Sequence, residues 1–84
     1  MTSVEVWGTI DFSDVGGTIT KTSGGWPILA KFSREVLSSR GRSITIDEVT
    51  GIIDITLANG RGIYRVESEA FGIITARRQY YEDS

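Results

Sequence analysis

Ile52-Ile53-Asp54-Ile55-Thr56-Leu57-Ala58-Asn59-Gly60-Arg61-Gly62-Ile63-Tyr64-Arg65-Val66 is the stretch on which the fold turns. Ile53, Ile55 and Leu57 alternate with Asp54 and Thr56, the period-2 pattern of a half-buried strand. Asn59-Gly60 offers two residues that tolerate positive φ, as a type I′ turn requires, and Ile63 to Ser68 returns as the antiparallel partner. Just upstream, Ser43 to Asp47 alternates through Ile44 and Ile46 until Glu48-Val49-Thr50-Gly51 interrupts it. Downstream, Phe71 to Gln79 fits either a third meander strand or a helix capped by Ser68. Gly72 and the β-branched run Ile73-Ile74-Thr75 favour the strand. Glu82-Asp83-Ser84 is expected to be a frayed polar tail.

In the first half, Val4, Val6, Ile10 and Phe12 share one face of a period-2 pattern, with Gly8 in the same row. Glu5, Trp7, Thr9 and Asp11 take the other face. Ser13-Asp14-Val15-Gly16-Gly17 is expected as a turn and Thr18 to Lys21 as a short returning strand. Thr22-Ser23-Gly24-Gly25 then loops into an amphipathic helix over residues 27–39. Pro27 suits its first turn, and Ile28, Leu29, Phe32 and Val36 form its apolar stripe. Gly41 stands where the left-handed residue after a helix belongs. The chain therefore predicts a single α+β domain over residues 1–84. It has a small antiparallel sheet of four or five strands, ββαββ(β), with one amphipathic helix packed on one face.

Composition narrows the chemistry. Histidine and cysteine are both absent, which removes the side chains behind most proton shuttling, thiolate catalysis and zinc binding. No catalytic group, resident cofactor or metal is therefore expected. Nine basic against eleven acidic residues give a net charge of −2, so no global field draws in nucleic acid. No apolar run approaches a membrane span, and Met1-Thr2-Ser3-Val4-Glu5 lacks the basic start of a signal peptide. A cytoplasmic location without membrane contact is expected.

Asp11-Phe12-Ser13-Asp14-Val15-Gly16-Gly17-Thr18-Ile19-Thr20 carries two resemblances. It resembles the first motif of haloacid-dehalogenase-type phosphatases, Asp-x-Asp-Gly-Thr, which would make Asp14 the nucleophile and Thr18 the last motif residue. Gly16 stands where that family has its acid. The stretch is also similar to the Asp-x-Gly-Gly-Thr phosphate loop of sugar kinases, matched by Asp14, Gly16, Gly17 and Thr18. Both families build their sites from folds much larger than this chain. As a local structure the segment is a glycine hairpin turn whose aspartate bonds its own backbone.

Paired carboxylates at Asp47-Glu48 and Glu67/Glu69 read as solvated positions on a sheet face. Aromatic residues point toward binding, because Trp and Tyr dominate contact hot spots. Trp7 falls on the polar side of the first strand. Trp26 stands beside Pro27, either as a staple or as a contact residue, and Tyr80-Tyr81 closes the last segment. Arg65, Arg77 and Arg78 belong to the hairpin and final segment, where Arg65 and Arg77 could share a side flanked by Tyr80. Trp7, Trp26, Arg65, Arg77, Arg78, Tyr80 and Tyr81 are thus the candidate partner-binding residues. The expected function is a non-enzymatic protein-binding module (inhibitor, adaptor or assembly subunit) that uses a sheet face or edge, self-association included. The alternative is a nucleic-acid binder with an arginine and aromatic surface.

Overall fold

The computed structural model describes residues 7–8, 12–15, 18–21, 26–38 and 41–83. The strands are β1 (Trp7–Gly8), β2 (Phe12–Val15), β3 (Thr18–Lys21), β4 (Leu29–Ser33), β5 (Ile44–Asp47), β6 (Ile52–Leu57), β7 (Gly60–Ala70) and β8 (Ile73–Asp83). One short helix, α1 (Arg34–Ser38), and a 3-10 turn (Gly41–Ser43) lie between β4 and β5. The main sheet runs β1-β4-β8-β7-β6-β5, and β2 and β3 form a separate hairpin. Five strands from β4 to β5 are successively antiparallel, and β1 joins the β4 edge in parallel. The architecture is α+β-like, with far more sheet than helix.

The stretch Ile52 to Val66 folds as its alternation demands. Ile53, Ile55 and Leu57 are buried on one face of β6 and pair with Tyr64, Gly62 and Gly60 of β7. The turn itself is Ala58-Asn59, one residue earlier than the expected Asn59-Gly60, because Leu57 pairs with Gly60. Gly60 is needed for another reason. Its φ is +151°, and an added Cβ would come 2.8 Å from the Glu82 carbonyl oxygen.

The expected helix over residues 27–39 is the main correction. Leu29–Ser33 is strand β4, paired residue for residue with Ile73–Arg77 of β8, and only Arg34–Ser38 is helical. Leu29-Ala30-Lys31 favours a helix locally, but β8 offers a complete ladder, and strand preference follows such context. The pattern misleads because Leu29 and Ala30 are both buried, on opposite faces of the sheet. The stripe fails accordingly. Val36 is exposed and Leu37 is the buried residue of α1. The helix is too short to cover a face.

Three smaller corrections follow from pairing. Ser13-Asp14-Val15 belongs to β2 rather than to a turn, since Val15 pairs with Thr18 and leaves only two residues between the strands. Among the described residues, Trp7 and Gly8 pair with β4 whereas Phe12 pairs with Lys21 of β3, so the two parts of the expected Val4 to Phe12 strand that are described belong to different sheets. Glu82 and Asp83 are not a frayed tail, because they pair with Arg61 and Gly60. Of the two readings of Phe71 to Gln79, the strand is the one that forms. Val4, Val6, Ile10, Gly16-Gly17 and Thr22 to Gly25 lie outside the described residues.

The core sits on the face shared by Ala30, Phe32, Ile53, Ile55, Tyr64 and Ala76. Trp26, Tyr64 and Phe32 form its aromatic centre: Phe32 meets Tyr64 edge-on at 5.5 Å, and Trp26 lies 6.5 Å from Tyr64. The Tyr64 hydroxyl donates to the Pro27 carbonyl at 2.6 Å, and burial pushes that phenol well above its usual pKa. A Cβ on Gly62 would run into the Trp26 ring, so the glycines of β7 form the floor on which the indole lies.

Candidate functional site

The β7–β8 hairpin outruns its neighbour. β6 pairs with β7 only as far as Arg65, and the Val66 amide then donates to the Gly51 carbonyl at 2.8 Å. Glu67 is bulged out of register, and Ser68, Glu69 and Ala70 pair with β8 alone among the described residues. At the tip, Phe71 and Gly72 take φ of +54° and +76°, the signature of a type I′ turn. Such a turn favours Asn-Gly, yet its first position holds a phenylalanine whose side chain is fully exposed. A bulky residue held at positive φ costs about 1–3 kcal/mol, and strain of that kind concentrates at functional positions.

Arg34 fixes this tip. Its backbone amide donates to the Gly72 carbonyl at 2.9 Å. Its guanidinium grips Glu69 through two bonds of 2.7 Å and Glu48 through one of 2.6 Å. Arg34 pulls the Glu69 carboxyl below its usual pKa, and the two carboxylates raise that of the guanidinium. One arginine thus ties together the start of α1, the β5–β6 turn and the long hairpin. The Asp47 carboxylate accepts the Val49 and Thr50 amides, which shapes that turn and lowers its own pKa. Each tied element displays an apolar side chain: Val36 from α1, Val49 (95% exposed) from the turn, Phe71 and Ile73 from the hairpin. A cleft of about 110 Å³, lined by Arg34, Leu37, Ser38, Gly41, Ile44 and Ile46, opens at the same arginine. The sequence reading proposed none of these four as partner-binding, and placed Val36 in the apolar stripe of a helix instead. The available signal was a Phe-Gly pair between two β-rich runs.

The residues expected to bind a partner are divided by the sheet. The register puts Arg65, Arg77 and Tyr80 on one face and Arg78 and Tyr81 on the other. Trp26 is buried. Its indole N–H donates to Asp83 at 3.0 Å, and its carbonyl accepts from Arg78 at 2.6 Å. The Arg78 guanidinium also lies 4.4 Å from the centre of the half-exposed Tyr81 ring. Arg77 is paired with Glu67 at 2.9 Å and Arg61 with Asp54 at 2.8 Å. Tyr80 donates its hydroxyl to Glu82. Trp7 pairs with Leu29 in the β1–β4 ladder, and its side chain lies outside the described residues.

Two of these arginines, Arg61 and Arg77, thus sit in neutralised pairs. The open groove of about 630 Å³ beside β5 and β6 contains Asp47, Glu48 and Asp54, each already held by the bonds given above. Among the described residues no group of three or more potential ligands is placed to hold a metal ion, and no helix is long and apolar enough to cross a membrane. No family model matches the chain, nor does any curated protein or solved structure.

Proposed function

We propose that this protein is a small non-enzymatic binding module that engages a protein partner through the end of the β7–β8 hairpin. One observation carries the reading: Phe71 is held at φ +54° and fully exposed, on a tip that Arg34 fixes to two other elements. Burial of an exposed aromatic in a partner offsets a strain that brings the free molecule nothing. Among the described residues Ser68 to Ala70 pair on one side only, which sets an open strand edge beside it. The nucleic-acid alternative is weaker. Arg77 is neutralised by Glu67, and Arg65 and Arg78 face opposite sides of the sheet.

A photoreactive phenylalanine analogue at position 71 tests the reading in extract of the native host. The expected outcome is a discrete protein adduct from position 71 and none from the same analogue at Thr56, an exposed site on β6. Equal labelling from both positions, or no protein adduct from 71, overturns it.

A further inference from the structure

β5 ends the main sheet, and no described strand lies beyond it. Which of its backbone groups face outward follows from β6. Leu57 and Gly60 close a two-residue turn and so exchange hydrogen bonds, and the Gly51 carbonyl accepts from Val66 of β7. The odd-numbered residues of β6 therefore bond to β7, which leaves Ile52 and Asp54 to bond to β5 through Asp47 and Thr45. The N–H and C=O groups of Ile44 and Ile46 point out of the sheet. Edges of this kind are ordinarily blunted by proline, lysine or a bulge. Ile44-Thr45-Ile46-Asp47 has none of these. It pairs with β6 residue for residue, and its one charge, Asp47, is turned back onto the Val49 and Thr50 amides.

This edge is complementary to itself. In an antiparallel pair centred on Thr45, Ile44 stands opposite Ile46 of a second copy, and Ile46 opposite its Ile44. Both residues have outward backbone groups, so each such pair exchanges two hydrogen bonds. Both also lie on the core face, so the buried row continues across the two-fold axis. A shift of one residue would set Ile44 against Thr45 or Asp47 and break both matches. The cleft of about 110 Å³ has Leu37, Ile44 and Ile46 in its wall and therefore opens where the second copy's isoleucines arrive. The same register brings Arg42, exposed and without an ion pair among the described residues, toward Glu48 of the second copy, which keeps its bond to Arg34. We propose that two copies of this chain join through β5 as a two-fold antiparallel pair that makes one continuous sheet. The proposal goes beyond the binding-module reading and draws nothing from Phe71. The ladder is short, so the dimer is weak, with half-association at roughly 0.1 mM.

Sedimentation velocity of the full chain, from roughly 10 µM to 1 mM, tests the proposal. The sedimentation coefficient should rise with concentration from a monomer to a dimer. Thr45 is exposed, so Thr45→Lys should leave the melting temperature unchanged, while two lysines face to face weaken association by about tenfold. Thr56→Lys, on the exposed surface of the neighbouring strand, should leave association as it was. The register has its own readout. The chain has no cysteine, so Thr45→Cys supplies a single thiol. Facing residues at such a position have Cα atoms about 4.5 Å apart, within disulfide range. In oxidised glutathione Thr45→Cys should cross-link to a dimer roughly tenfold faster than Thr56→Cys. A chain that stays monomeric throughout, a dimer untouched by Thr45→Lys, or equal cross-linking from the two cysteines overturns the proposal. The photoreactive adduct from position 71 is a separate measurement, so the two readings fail independently.

Discussion

The indole of Trp26 lies across Gly62 so closely that no β-carbon fits between them. A residue outside the sheet is in this way sealed against the middle of β7, and its N–H is met by Asp83 on β8.

Gly62→Ala should therefore cost more than a surface glycine change, about 3 kcal/mol, because the indole must move off its floor. Trp26→Ala should cost about 3–5 kcal/mol. Urea unfolding followed by circular dichroism checks both. A Gly62→Ala protein as stable as the parent would mean that the ring shifts freely.

Tyr64→Phe should cost about 1–2 kcal/mol, since the Pro27 carbonyl loses its donor in a buried site. The same phenol sets an alkaline limit. Its folded pKa is raised above the usual 10.0, so the folded state keeps a proton that the unfolded state releases. This contribution is fully present below pH 10 and is lost progressively above it. The slope of stability against pH above 10 should flatten in Tyr64→Phe, as a titration of urea midpoints will report.

In acid the sign reverses. Glu69 and Asp47 have folded pKa values below their ordinary 4.5 and 3.8, so the unfolded state binds more protons around pH 4. Their contributions are present above those values and disappear as pH falls through the lower folded ones. Arg34→Met should remove the Glu69 share and Asp47→Asn the turn's share, each shrinking the drop in urea midpoint between pH 7 and pH 3. Both groups are exposed, so 1 M salt should diminish the Glu69 effect more than that of Asp47, whose donors are backbone amides.

Phe71→Asn should raise stability, by about 1 kcal/mol, because asparagine accepts positive φ at the first position of this turn. The same change should weaken capture of the partner. A variant that is less stable than the parent would show that Phe71 supports the fold.

The sequence made some elements readable and concealed others for definite physical reasons. The β5–β6–β7 meander was legible because one face of each strand is buried and the other is polar, so alternation survives in the residues themselves. β4 was not, since Leu29 and Ala30 are buried on opposite faces and together mimic a helical stripe. The end of β8 looked like a tail because Glu82 and Asp83 are polar, whereas their order comes from pairing with Arg61 and Gly60 across the sheet. Trp26 was recognised as either staple or contact, and only its neighbours Gly60 and Gly62 reveal the staple. The Phe71 tip went unnoticed because the rule for such turns looks for asparagine, and this chain breaks the rule.

The position of β8 has a consequence for how the chain comes together. It is the latest of the sheet's strands in sequence, yet it lies between β4 and β7 and carries both ladders. As the chain emerges from a ribosome, the β5–β6–β7 meander can pair at once from neighbouring residues. β4, made before it, must wait with an open edge until Ile73 to Arg77 arrive, and the indole of Trp26 waits longer, for Asp83. During that interval two unmatched edges face solvent, open to swapping with another nascent copy or to capture by a chaperone. The lateral order of the strands thus runs against their order of synthesis, and β8 is the strand that joins β4 to the meander.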